Sequence, residues 1–147
     1  MPHHGCMALS ERRLFRLLEK LALPSGDYVV TGSGPLLAHG LKPSIHDLDL
    51  VARGKAWEIA ETLGPIVGSQ SGFGRRIALN HGAIEVFDHW VGGLTDVQAI
   101  IDNAEFVDGV PFMSLKDTMI WKRGLGRAKD LVDIRLIEDY LSVPAHS

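Results

Sequence analysis

Apolar residues at Leu14, Leu17, Leu18 and Leu21 follow the spacing of one helix face. Ser10 stands as an N-cap, Glu11 lies in the first turn and Pro24 ends the run, so a helix is predicted over Ser10–Leu23. Tyr28-Val29-Val30-Thr31 reads as a short strand that breaks at Gly32-Ser33-Gly34. Pro35 then suits the first turn of a short helix to His39, closed by Gly40. From Ile45 to Val51 the period changes to two, with Ile45, Asp47, Asp49 and Val51 on one face and His46, Leu48 and Leu50 on the other. Lys55–Leu63 returns to helical spacing through Trp57, Ile59, Ala60 and Leu63, and Gly64-Pro65 stops it. Arg75–Leu79 and Ala83–Trp90 are β-type runs joined by Asn80-His81-Gly82, a hairpin turn.

Helices dominate beyond Gly93. Thr95 caps a short helix to Ala104, and Glu105–Met113 contains the tight-turn pair Asp108-Gly109. Ser114 caps a helix through Arg123, Gly124-Leu125-Gly126 breaks it, and Ala128–Leu141 presents Leu131, Ile134, Ile137 and Leu141 at helical spacing. The pattern implies an α/β chain of the α+β type, a mixed β-sheet flanked by helices with a C-terminal helical segment. At 147 residues and 46% hydrophobic content, it forms one domain, 10–142, with a leader at 1–9 and a tail at 143–147. Met1-Pro2-His3-His4-Gly5-Cys6-Met7 lacks the apolar core of a secretory signal and reads as an expression remnant or an upstream start. No repeat, low-complexity tract or interdomain linker interrupts the chain.

Composition removes several classes of function. The longest apolar stretches, such as Asp27–Gly32 and Ala83–Phe87, fall far short of the roughly 20 residues that a membrane span needs. Cys6 is the one cysteine, which excludes an intrachain disulfide and a cysteine metal knuckle and points to a reducing cytoplasm. The seven histidines include no i,i+4 helical pair with a third ligand, so a zinc site is not expected. A net charge of −3 gives no reason for strong non-specific nucleic-acid binding, although a local basic patch remains compatible with it.

The chemistry concentrates at Asp47-Leu48-Asp49. Among eleven aspartates, one such pair arises by chance, so its context must give it weight. Two like charges share a face of a strand that otherwise reads as core, and neighbouring carboxylates repel unless a cation compensates. Carboxylate oxygens suit Mg²⁺, which completes its shell with water and substrate phosphates. Glu85, between Ile84 and Val86, is the first candidate for a third carboxylate; Asp88, on the opposite strand face, is the second. Gly32-Ser33-Gly34 lies between strand and helix, where backbone amides can hold a phosphate.

Three ordered elements, Val30-Thr31-Gly32-Ser33, Asp47-Leu48-Asp49-Leu50 and Ile84-Glu85-Val86, resemble the DNA polymerase beta-like nucleotidyltransferase superfamily, specifically its small bacterial members of the AbiEii type. The stretch from Leu115-Lys116-Asp117 to Trp121-Lys122, followed by Gly126-Arg127-Ala128-Lys129-Asp130-Leu131-Val132-Asp133, is similar to a Lys and Arg-x-Lys-Asp-x-x-Asp helical pattern in those proteins. The resemblance implies the nucleotidyltransferase fold, with Gly32 and Ser33 on the nucleotide phosphates. It further implies Asp47, Asp49 and Glu85 as catalytic and metal-binding groups, and Lys122, Arg127 and Lys129 neutralising a triphosphate. The implied activity is Mg²⁺-dependent transfer of a nucleotidyl group, as from ATP, to a hydroxyl of a protein, RNA or small molecule, with toxin–antitoxin function among the small relatives. Glu85 departs from the family's usual Asp by one methylene.

Plainer readings stand beside these. Asp47 and Asp49 fit a solvated strand edge, Ser33 fits a helix cap, Glu85 fits a cross-strand pair with Arg75 or Arg76, and Lys129-Asp130 fits a solvated helix face. Phe73-Gly74-Arg75-Arg76 reads as a surface charge pair before it reads as a phosphate contact. Trp57, Trp90 and Trp121 read as core residues whose indole N–H groups need partners. Two rival functions follow: a catalytically silent binding module on the same fold, and an antibiotic-modifying enzyme, which would require a deep acceptor cleft.

Overall fold

A computed structural model describes residues 12–68, 74–90 and 94–143. The leader, Ser10, Glu11, Phe73 and the residues after 143 lie outside these segments. The elements run α1 (Arg12–Lys20), β1 (Tyr28–Val30), α2 (Gly34–Ala38), β2 (Leu48–Ala52), α3 (Gly54–Leu63), β3 (Ile66–Gly68), β4 (Arg75–Leu79), β5 (Ile84–Phe87), α4 (Val97–Asp102), β6 (Glu105–Val107), β7 (Val110–Phe112), α5 (Leu115–Leu125) and α6 (Ala128–Leu141). The strands form one mixed sheet in the order β3-β4-β5-β2-β1-β7-β6. Its two parallel pairs, β2 with β5 and β1 with β7, bring together strands distant in sequence, and the other neighbours are antiparallel.

Alternation along the strands divides the core. Val30, Leu48, Leu50, Ile84 and Val86 pack with Leu14 and Leu18 of α1 and with Ala56, Trp57 and Ala60 of α3 on one face. Val29 and Val51 pack with Ile100 and Ile101 of α4 and Trp121 of α5 on the other. Leu36, Leu115 and Ile137 join α2, α5 and α6 in a third cluster. Among the described residues no helix is long and apolar enough to cross a membrane.

Several boundaries differ from the periodicity. β2 begins at Leu48 rather than Ile45, because its partner β5 begins at Ile84 and the ladder opens with the Leu48 amide donating to the Ala83 carbonyl. Asp47 therefore sits just ahead of the strand. β5 likewise ends at Phe87, where Asp88 turns out to accept from the Arg75 amide at 2.7 Å. α4 is capped by Asp96, not Thr95: the Asp96 carboxylate accepts the Ala99 amide. β3 was not legible in the sequence, being a three-residue edge strand, exposed at every position, with no alternation. Gly124 lies within α5, and the break falls at Gly126 alone, whose left-handed φ of 64° ends the helix.

The largest departure is on α6. The expected stripe of Leu131, Ile134, Ile137 and Leu141 is only half buried: Leu131 is 60% exposed and Leu141 51%. The face turned inward is Asp130, Asp133, Ile134 and Ile137, which keeps helical spacing but puts two carboxylates inside. Lys122, itself buried on α5, explains the exchange, since its ammonium meets Asp133 at 3.0 Å and Asp130 at 3.7 Å.

Candidate nucleotide and metal site

The β1–α2 turn and the start of β2 are tied together by one residue. Thr31 donates both its amide, at 2.7 Å, and its hydroxyl, at 3.0 Å, to the carbonyl of Asp49. Gly32 then adopts φ +63°, and a Cβ there would lie 3.1 Å from Asp49 Oδ2. The glycine is needed both for its conformation and for the close approach of backbone to carboxylate. Ser33 occupies the N-cap of α2 without a side-chain cap bond, so the plain capping role is absent. The amides of Gly32 and Ser33 donate to no protein acceptor among the described residues.

Gly32→Ala should lower the melting temperature by several degrees, since a left-handed alanine costs about 1–2 kcal/mol. Gly40→Ala is the control, with φ +73° but no atom within 4 Å of its Cβ. Both variants should lose similar stability, and only Gly32→Ala should also lose the response of the melting curve to nucleotide and Mg²⁺. Equal responses would show that the contact with Asp49 is irrelevant.

A cavity of about 570 Å³ opens on this turn and is walled by Gly32, Ser33, Asp47, Asp49, Lys42, Lys122, Arg127 and Lys129, among others. Seven of the eight residues named from the sequence thus converge; Glu85 is the one off its wall. Glu85 is nonetheless the direct cross-strand neighbour of Asp49 in the parallel β2–β5 ladder and shares its face. Its carboxylate pairs with Arg76 on β4, as the plainer reading expected. Asp88 is farther along the chain from the cavity and is held by the Arg75 guanidinium at 2.8 Å. Arg75 also lies over the Trp57 ring, 5.0 Å from its centre, which makes it part of the packing.

Electrostatics separate the two halves of the cavity. Burial, then Asp47, then Glu85 push the Asp49 carboxyl up to about 6. Neither the Asp47 nor the Asp49 carboxylate accepts a hydrogen bond or meets a cation within ion-pair distance among the described residues. Among those residues no three acidic, histidine or cysteine side chains are grouped as a metal cage. Two uncompensated carboxylates still fit Mg²⁺, because that ion takes one or two carboxylates and completes its shell with water and substrate phosphates. Asp47 and Asp49 are the residues that would hold it.

Other residues of the lining are cationic and are braced by carboxylates. Arg127 clamps Asp130 with two guanidinium bonds, 2.7 and 3.1 Å, and closes a capping box at the start of α6. These bonds hold the fully buried Asp130 carboxyl below its ordinary range. Lys42 reaches Asp133 at 3.3 Å, and the Lys122 ammonium lies 4.8 Å from the centre of the Trp121 ring. Lys129 is exposed and meets no carboxylate among the described residues. Lys42 escaped the functional reading of the sequence, and Asp130 and Asp133 entered it only as members of the Arg-x-Lys-Asp-x-x-Asp pattern, with no role of their own. For the two aspartates a signal existed, since with Ile134 and Ile137 they make an i,i+3,i+4,i+7 stripe; for Lys42 there was none. The three tryptophans are buried as expected, but their indole N–H groups find no partner among the described residues.

A chain from Thermotoga maritima, solved as a "putative nucleotidyltransferase (TM1012)", superposes with a TM-score of 0.59 over 95% of this chain and 99% of its own, at 20% identity. The chain has a nucleotidyltransferase fold. No family model matches the sequence, and no curated protein matches it significantly. The likeness therefore lies in the architecture of this nucleotidyltransferase-fold chain, and its chemistry must be argued from its own residues.

Proposed function

We propose that this chain is a Mg²⁺-dependent nucleotidyltransferase, transferring a nucleotidyl group from a nucleoside triphosphate to an acceptor hydroxyl. The observation that carries the reading is one cavity lined both by two carboxylates that meet no cation among the described residues and by Lys42, Lys122 and Arg127, each braced by another carboxylate. A magnesium triphosphate has the complementary charge pattern, with metal toward Asp47 and Asp49 and phosphates toward Lys42, Lys122, Arg127 and Lys129. The free amides of Gly32 and Ser33 add neutral donors for phosphate oxygens. When bound, Mg²⁺ would supply charge neutralisation of the phosphates. The acceptor oxygen attacks the α-phosphorus, the bond from that phosphorus to the bridging oxygen breaks, pyrophosphate leaves and the hydroxyl proton passes to a carboxylate or to water.

The test is incubation with each of the four radiolabelled nucleoside triphosphates, Mg²⁺ and cell lysate. Label should move to a protein, RNA or small-molecule acceptor, and Asp47→Ala should abolish the transfer. Transfer that survives Asp47→Ala, or none with any triphosphate, would overturn the enzyme reading.

The pairing of Glu85 with Arg76 favours a second reading, a binding module that keeps the cavity without turnover. That reading predicts a raised melting temperature with Mg²⁺ and nucleotide but no transferred label.

A further inference from the structure

A cavity of about 530 Å³, the size of a small-molecule site, lies where α1, the α1–β1 connection, the first residue of β1 and the β6–β7 turn meet. It shares no lining residue with the nucleotide cavity. Tyr28 opens β1 and Thr31, on the nucleotide cavity, follows its far end, so about 10 Å of strand lies between the two spaces. Phe15, Leu18, Leu23 and Val110 give the cavity an apolar lining. Phe15, Leu23 and Val110 are only partly buried, which leaves the edge of the core uncovered at this corner.

Tyr28 brings a polar atom into that apolar surface. The residue packs in the core beside Leu14 and Leu18 of α1 with 7% of its surface exposed, and its hydroxyl has no hydrogen-bond partner among the described residues. That oxygen is not one of the sealed unpartnered polar atoms, so the exposure left to the residue reaches it. Burial raises the phenol above its ordinary range, which keeps it neutral and able both to donate and to accept.

Three exposed charges complete the chemistry: Arg16 and Glu19, three apart on α1, and Asp108. None of them forms an ion pair among the described residues. Their positions are set by the frame. Asp108 and Gly109, at φ 51° and 78°, make the two-residue turn that closes the Val107–Val110 pair. The Phe15 and Phe112 rings pack with centres 6.0 Å apart, which holds α1 against the strand that follows this turn.

The mixture of signs selects the ligand. An anion would meet Arg16 but approach two carboxylates, and a cation would meet the carboxylates but approach the guanidinium. A zwitterion satisfies both signs, and the uncovered apolar residues call for a large apolar body. We propose that this corner binds a free α-amino acid with a large apolar side chain, its carboxylate on Arg16, its ammonium on Glu19 and Asp108, and its polar head hydrogen-bonded to the Tyr28 hydroxyl. The side chain lies against Phe15, Leu23 and Val110. The site goes beyond the nucleotidyltransferase reading and does not depend on it.

The experiment titrates the full chain, isotope-labelled for amide NMR, with L-phenylalanine to about 10 mM, enough to fill most of a site of millimolar affinity. Saturable shifts should appear at the amides of Ala22, Tyr28, Asp108 and Gly109 and not at those of Gly32 and Ser33. Phenethylamine and hydrocinnamate keep the apolar body and lose one charge each, and both should bind at least tenfold more weakly. L-phenylalanine should lose a similar factor on Arg16→Gln and on Asp108→Asn. Tyr28→Phe keeps the ring that packs in the core and should weaken binding about threefold or more. Arg135→Gln, which removes an exposed arginine on α6, should change nothing. The proposal falls if no saturable shift appears, if the shifts fall at Gly32 and Ser33 instead, if either singly charged analogue binds as well, or if the Arg16, Asp108 and Tyr28 variants bind as the parent does. With neither Mg²⁺ nor nucleotide in the titration, such a failure leaves the nucleotidyltransferase reading standing.

Discussion

Asp49→Asn should reduce nucleotidyl transfer by at least about 10³-fold while making the metal-free protein more stable at neutral pH, because roughly 4 kcal/mol of charge stabilisation at the reacting centre is lost. The two effects share one cause. In the folded protein the Asp49 carboxyl is raised to about 6 by burial, Asp47 and Glu85, whereas in the unfolded chain it keeps its ordinary value near 4. The folded state therefore binds this proton more tightly than the unfolded state does. Its favourable contribution is complete below about pH 4 and is lost as pH rises through 6, so the ionised group destabilises the metal-free protein by about 1–3 kcal/mol at pH 7.5. Asparagine keeps the shape and removes the charge. Denaturant unfolding in chelator should show the variant ahead at pH 7.5, with the gap largely closed at pH 4.5. Added Mg²⁺ and triphosphate should stabilise the parent and leave the variant unmoved. A variant that is less stable than the parent at pH 7.5, or that retains transfer, would remove Asp49 from the centre of the site.

Lys122→Met should produce the largest loss of stability, about 3–5 kcal/mol, as expected when one member of a buried ion cluster is removed and its partners stay charged. Lys122 is 4% exposed, Asp130 0% and Asp133 5%, so little water is available to replace the ammonium. Arg127 still serves Asp130 and Lys42 still serves Asp133, which limits the damage to those carboxylates. For a chain of this length the loss corresponds to a fall of roughly 6–20 °C in melting temperature. Restoring charge balance with Asp133→Asn in the Lys122→Met background should recover part of it, and a double variant no better than the single one would mean that packing rather than charge is responsible. Nucleotide affinity should fall beyond what unfolding accounts for, because the α5–α6 wall of the cavity is braced through the same three groups.

Most of the lining of the candidate cavity was legible, and the reasons differ by residue. Asp47-Leu48-Asp49, Gly32-Ser33 and Arg127-Ala128-Lys129 are each short in sequence, so their chemistry can be read as units. Glu85 was legible as an acid in an apolar strand, and its pairing with Arg76 was foreseen as an alternative because cross-strand partners are near neighbours. Lys42 was not legible, since it reaches the site through an irregular segment with no periodicity to place it. Asp130 was given a solvated helix face as its plainer reading, and Asp133 stood only as the last acid of the Arg-x-Lys-Asp-x-x-Asp pattern, because apolar periodicity favoured Leu131 and Leu141.

Local chemistry suffices for the helices, the β4–β5 and β6–β7 turns, the glycine turn and the presence of two carboxylates at the start of a core strand, because each depends on spacing within about ten residues. The parallel pairing of β2 with β5, the sheet order and the rotation of α6 depend on partners far along the chain. Which face of a helix is buried depends on what it meets. On α6 a buried lysine from another helix outweighed two leucines, since an uncompensated charge in the interior costs more than exposed apolar surface.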